Sequence, residues 1–238
     1  MTRVEDLECF YELLNELENQ TGGARTLETA NGRMNWPRRG VYFFFEPGET
    51  RSVSGQRVVR VGTHGLKTKA KSTLWRRLSQ HQGAIRSGAG NHRGSIFRLI
   101  VGASIMQRDS LDIPSWGVAS DIGSAARRLG IDRADLKEAE NPLEMQVSDH
   151  IRSMPFLWLN IGDEPGPESM RGFIERNSIA LLSNINGDSI DAPSADWLGQ
   201  HCDRNRVRGS GLWNNNHVEE RYDPSFLDAF RTLVSATR

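Results

Sequence analysis

The apolar positions of this chain change their spacing several times, and each change marks an element. Over residues 4–19, Leu7, Phe10, Tyr11, Leu14 and Leu17 recur three or four apart, which predicts an amphipathic helix ended by Thr21-Gly22-Gly23. The run at 39–46 (RGVYFFFE) is continuously apolar and aromatic and predicts a buried strand. After the turn Pro47-Gly48-Glu49, residues 56–62 (QRVVRVG) predict a second strand, paired with the first as a hairpin over about ten residues. Ser72 is the expected N-cap of a helix over 73–82 (TLWRRLSQHQ), with Leu74 and Leu78 inward and Arg77 and His81 sharing a neighbouring side.

Residues 83–94 (GAIRSGAGNHRG) form a glycine-rich loop, and 95–105 (SIFRLIVGASI) predict another strand. Residues 106–131 hold turns and one short helix; 135–154 are helical with an interruption at Asn141-Pro142. A strand at 155–161 (PFLWLNI), a turn at 162–167 and a helix over 168–182 follow. The tail is turn-rich, with Trp197 and Trp213 as anchors, and closes with a helix over 225–234. The expected fold is α+β: a small antiparallel or mixed sheet of about three strands flanked by helices. It divides into an N-terminal helical extension (1–35), a central domain (36–190) with an insertion around 106–153, and a C-terminal extension (191–238) packed on the core.

Composition adds a globular class: the chain has 238 residues, 37% hydrophobic and 25% charged. The 30 basic and 30 acidic residues cancel overall, yet residues 50–108 carry twelve Lys and Arg and no acid. That block is therefore +12 and the remainder −12, and a local field of this kind attracts a phosphate polymer. Cys9 and Cys202 lack metal-ligand spacing and are expected to be free thiols. The N-terminus lacks the basic and apolar regions of a secretory signal, and no stretch approaches the ~20 apolar residues that cross a membrane. A cytoplasmic protein without a membrane partner is the expectation.

The order of short motifs then matters. Gly40-Val41-Tyr42 on one strand is followed by Arg60-Val61-Gly62 on the next, by Leu74, Arg77, Leu78 and His81 on a helix, and later by Ile174-Glu175, Ile179 and Asn184. This series resembles the GIY-YIG nuclease superfamily, and among its members the restriction- or defence-type enzymes, over about residues 40–184. The resemblance implies a Mg²⁺- or Mn²⁺-dependent endonuclease acting on DNA, most simply double-stranded, and a homodimer if both strands are cut.

By that resemblance Tyr42 is the base or proton relay, a role that requires a cationic neighbourhood, here Arg60 and Arg77, to lower its pKa from ~10. Arg77 would hold phosphoryl oxygens with its guanidinium fork. Glu175 would be the single metal-binding carboxylate, ahead of Glu168 two turns earlier. His81 would contact phosphate or position the nucleophile, and Asn184 would fix local geometry within the site. Arg60 stands where the family's second motif usually begins with tyrosine, which moves the base role to Tyr42. Lys67, Lys69, Lys71 and Arg76 would grip the phosphate backbone, with Asn91, His92 and Arg93 as candidates for base contacts. The segment 210–218 (SGLWNNNHV) either reads bases or plugs the domain. The alternative function is a nucleic-acid-binding module on the same scaffold that no longer cleaves.

Overall fold

A computed structural model describes residues 2–185 and 187–237. In chain order its elements are α1 (Arg3–Thr21), β1 (Arg25–Thr26), β2 (Gly40–Thr50), β3 (Gln56–Gly62), α2 (Leu74–Gln82) and α3 (Ile96–Asp109). Then come α4 (Ile122–Leu129), α5 (Arg133–Ser153), β4 (Pro155–Asn160), α6 (Met170–Leu182), α7 (Asn205–Ser210) and α8 (Phe226–Ser235).

The four strands form one antiparallel sheet in the order β1-β4-β2-β3. The aromatic run of β2 explains why both faces must be covered. Alternate side chains of a strand point to opposite faces, so Val41, Phe43 and Phe45 enter one core and Tyr42 and Phe44 the other. The first core is filled by α1, α6 and α8, and the second by α2, α3 and α5. On α1 the stripe Leu7, Phe10, Tyr11, Leu14 and Leu17 is buried as its spacing predicts. The helix begins with a capping box between Thr2 and Glu5 and ends on Gly22 in the left-handed conformation.

Three expectations are corrected. Residues 95–105 are not a strand but the first part of α3, with Ser95 as N-cap accepting from Arg98 N–H at 3.3 Å. The β-branched run suggested a strand, but Phe97, Ile100, Val101, Ser104 and Ile105 are buried at helical spacing. The helix at Asn141-Pro142 is not interrupted: α5 runs through Pro142, and burial of Leu136, Leu143, Val147 and Ile151 offsets the lost backbone bond. Thr73, not Ser72, caps α2. The sheet also has the short strand β1 on its outer side, paired to β4 through Arg25 and Thr26.

The free edge of β3 is closed by the tail. Trp213 N–H donates to the Val59 carbonyl at 2.7 Å. The Asn214 side-chain amide then imitates a strand residue, donating to Val61 O at 2.8 Å and accepting from Val61 N at 3.1 Å. Unpaired strand edges invite pairing with other chains, and this cover removes one. The tail is pinned by Glu46 at the end of the apolar run of β2. The carboxylate accepts from the indole N–H groups of Trp197 (3.0 Å) and Trp213 (2.8 Å) and pairs with His150 at 3.1 Å. Burial pushes the Glu46 pKa up, but His150 and the two indoles outweigh it and hold the group below its ordinary value. The two tryptophans are thus the anchors expected, fixed by one carboxylate.

Glu46→Ala leaves two buried indole donors without a partner. It is expected to destabilise the protein by about 3 kcal/mol or more in urea unfolding, with Glu46→Gln recovering part of the loss.

Candidate active site

The site is built around the pairing of Tyr42 with Gly62, directly opposite each other across β2 and β3. A Cβ at Gly62 would collide with the Tyr42 hydroxyl and ring, and one at Gly40 would collide with the Leu159 carbonyl oxygen on β4. Neither glycine has a positive φ, so each is needed for space. Trp158 is Tyr42's partner on the other side.

With its ring held over Gly62, Tyr42 directs its hydroxyl to His81 Nε2 at 2.8 Å. His81 is fully buried at the end of α2, and its Nδ1 meets Ser95 Oγ at 2.8 Å. The Arg98 guanidinium donates to the His81 carbonyl at 2.8 Å. Burial, then the charges of Arg77, Arg60 and Arg98, hold the His81 pKa well below the usual histidine value, so the ring is neutral. A neutral imidazole has one donor and one acceptor; with Nδ1–H toward Ser95, Nε2 accepts from the Tyr42 hydroxyl.

Arg60 lies on the same face of β3, paired with Phe44. Its guanidinium rests over the Phe97 ring at 4.6 Å and donates to the Trp213 carbonyl, while its Nε is buried without a hydrogen-bond partner. Burial pulls its pKa below the ordinary arginine value, against the pull of Tyr42 and Glu175 nearby. Arg77, one turn before His81, is half-buried and bound only to neutral groups, Gln80 Oε1 at 3.0 Å and the Gly94 carbonyl at 3.2 Å. Glu175 on α6 is half-buried, and its Oε1 accepts from Thr63 N–H at 3.0 Å. Thr63 follows Gly62, so the carboxylate is tied one residue from Tyr42's partner. Burial raises the Glu175 pKa, opposed by the Thr63 N–H and by the charges of Arg60, His217 and Arg77.

Glu175 opens onto a cleft of about 1000 Å³ whose wall includes Lys67, Glu168, Arg176 and His217. Among the described residues no three His, Cys, Asp or Glu side chains gather to hold a metal. One carboxylate on a cleft suits a hydrated, oxygen-seeking ion such as Mg²⁺ and not a closed zinc site.

The remaining expected residues separate. Lys67, Lys69, Lys71, Arg76 and Asn91 are exposed. His92 and Arg93 are turned inward, which removes them from any base contact. His92 stacks on Trp116 at 3.8 Å and bonds Glu144, and Arg93 makes a two-pronged pair with Glu140. Asn184 bonds the carbonyls of Asp191 and Ser210, fastening the tail to the end of α6; none of its bonds is with Tyr42, His81 or Glu175. With Arg93, five of the twelve cations of the basic block pair with acids. Arg51 pairs with Glu8 and Asp191, Arg57 with Glu49, Arg98 with Glu144 and Arg108 with Asp109, every acid lying outside residues 50–108.

Sequence reasoning gave Ser95 and Thr63 no place in the site, and left His217 within the segment 210–218 as a base reader or a plug. Ser95 was legible as an N-cap had the following run been taken as a helix. Thr63 and His217 belong to a loop and a tail whose positions only the fold supplies.

A family model described as a GIY-YIG domain matches residues 1–238. No curated protein and no solved structure matches the chain.

Gly62→Ala should displace the Tyr42 ring and cost about 1–3 kcal/mol, whereas Gly94→Ala, where a Cβ meets nothing, should melt like the wild type. His81 and His64 are buried with pKa values held low by burial first and then by arginines, that of His64 at about 4. Folding therefore favours their neutral forms: the stability is full above the unfolded value near ~6.5 and is lost as pH falls toward the folded values. Between about pH 6.5 and 5 the unfolding free energy should drop by up to about 2.7 kcal/mol per pH unit for two protons, and His64→Gln should roughly halve that slope.

Proposed function

The chain belongs to the GIY-YIG domain family, and from that premise we propose that it is a Mg²⁺-dependent endonuclease that hydrolyses DNA phosphodiester bonds. Family membership itself implies a nuclease-type function and a nucleic-acid substrate. The observation that carries the finer reading is the hydrogen-bonded line Tyr42–His81–Ser95, with Glu175 tied to Thr63 beside it.

In this reading the attacking water gives a proton to the Tyr42 oxygen while the Tyr42 proton passes to His81 Nε2. Burial first, and then the charges of Arg77, Arg60 and Arg98, make His81 a poor acceptor. A phosphodiester against Arg60 and Arg77 offsets two of those three cations, so substrate binding itself strengthens the base. The unpartnered Nε of Arg60 and the weak neutral partners of Arg77 make both side chains ready donors to phosphoryl oxygens. A divalent ion held by Glu175, Mg²⁺ or Mn²⁺, would neutralise charge developing on the phosphoryl group. Exposed Lys67, Lys69, Lys71, Arg76 and Arg86 supply sequence-independent grip, and Asn91 is the base-contact candidate that remains at the surface. Cutting both strands of a duplex would need two copies of the chain.

A second reading, a binding module that does not cleave, draws on the complete burial of Tyr42 and His81. Supercoiled plasmid with Mg²⁺ separates the two. The nuclease reading expects nicking that falls at least ~100-fold in Glu175→Ala, Arg77→Ala and Tyr42→Phe. Salt-sensitive binding without nicking by the wild type would establish the module instead. In either case five exposed cations should give a slope of log affinity against log salt of roughly −4 on duplex DNA, reduced by about one for each Lys→Ala in the 67–71 loop.

A further inference from the structure

The tail that closes the β3 edge also delivers a side chain to the cleft. Three residues after the clamp made by Asn214, His217 adopts a left-handed backbone, φ 66°. Few non-glycine residues adopt that conformation, histidine more readily than most, and such positions concentrate at functional sites. Here the surroundings are specific. His217 Nδ1 meets Glu220 Oε1 at 2.7 Å, and Glu220 N–H donates to the His217 carbonyl at 3.3 Å. The other Glu220 oxygen pairs at 2.9 Å with Arg176, the residue following Glu175 on α6. The imidazole is thereby held at Nδ1, and its Nε2 lies on the opposite side of the ring. The side chain is 28% exposed and lines the same cleft as Glu175.

Its position relative to Glu175 is informative. The charges acting on that carboxylate come from Arg60 and Arg77, which belong to the Tyr42–His81 group, and from His217. Hydrolysis requires a proton to be removed from the attacking water and another to be supplied to the departing oxygen. Tyr42 and the neutral His81 serve the first need only. Of the other cleft side chains, Arg176 does not release a proton at all, and Lys67 sits on an exposed loop with no comparable restraint. Glu168 is exposed near the start of α6.

We propose that His217 is a catalytic residue of the nuclease reaction, donating the Nε2 proton to the leaving oxygen, with Glu220 and Arg176 as positioning residues. As the bond from phosphorus to the leaving oxygen breaks, that oxygen keeps the electron pair and takes the Nε2 proton. The new bond forms to the water oxygen, whose proton leaves through Tyr42 to His81. His217 ends neutral with Nδ1–H on Glu220 and is reprotonated from solvent. This role rests on the nuclease reading above.

The test uses the full chain, Mg²⁺ and a duplex oligonucleotide carrying a mapped cut position, made with oxygen or with sulfur at the leaving bridging atom. A thiolate departs without a proton, so loss of a proton donor affects only the oxygen substrate. His217→Asn, whose side chain tolerates the left-handed backbone, should cut the oxygen substrate at least ~100-fold more slowly and the sulfur substrate within about threefold of wild type. Glu220→Gln should show the same contrast at about a tenth of the size, and serves in place of His217→Asn if that variant melts early. Tyr42→Phe should slow both substrates. Equal slowing of both substrates by His217→Asn, or no slowing of either, overturns the proposal while leaving the nuclease reading intact. Failure of the wild type to cut either substrate overturns both.

Discussion

Tyr42 sits between Gly62 and Trp158 with no room for a methyl group opposite its hydroxyl, and the site depends on that fit. The ring can lie flat over β3 only because Gly62 has no side chain. From there its hydroxyl reaches a histidine that two helices hold: α2 carries His81, and the first turn of α3 supplies Ser95 and Arg98 to fix it. The next residue after Gly62, Thr63, uses its backbone N–H to hold Glu175. A glycine required for packing thus sets the spacing between the Tyr42–His81 pair and the Glu175 carboxylate. Packed interiors transmit small changes of volume, so the geometry is stiff at this point.

Charge is the second constraint. Four of the nine arginines of the basic block, Arg51, Arg57, Arg93 and Arg98, are held in buried pairs with acids drawn from α1, β2, α5 and the tail. The cations left without an acid partner are Arg60 and Arg77 beside Tyr42, and the exposed Lys67, Lys69, Lys71, Arg76 and Arg86. The Arg98–Glu144–His92 network, closed by stacking on Trp116, carries no free charge outward and serves to brace α3 against α5. Burying a guanidinium without a partner is costly, whereas pairing it inside is tolerated. Neutrality overall is a matter of composition; the fold places acids against part of the basic block, so a count along the sequence overstates the free positive surface.

Much of the framework was legible beforehand. The stripe of α1, the strands β2, β3 and β4, and α2, α6 and α8 follow from spacing alone, because each buries a face whose period the sequence displays. The family resemblance singles out Tyr42, Arg77, His81 and Glu175, and the structure places Tyr42 against His81. Residues 95–105 were misread because a β-branched run fits a strand by propensity while its burial follows a helix, and tertiary packing decides such cases. His92 and Arg93 looked like loop residues free for contact; their acid partners lie 47 to 52 residues further on in α5.

The sequence by itself determined the local elements, the aromatic strand that needs two covered faces, and the residue types able to move a proton and hold a phosphate. Local hydrogen bonding and burial period depend on near neighbours, so they are written in consecutive residues. Only the tertiary structure decided which cations remain free, that Asn184 fastens the tail and stands apart from the Tyr42–His81 pair, and that the segment 210–218 divides. Its first part closes the β3 edge through Trp213 and Asn214, and its last part brings His217 to the cleft of Glu175. Those outcomes depend on contacts that only the fold makes, at separations from 7 and 26 positions for Asn184 to 153 for Asn214 and Val61, a relation that no regular spacing along the chain encodes.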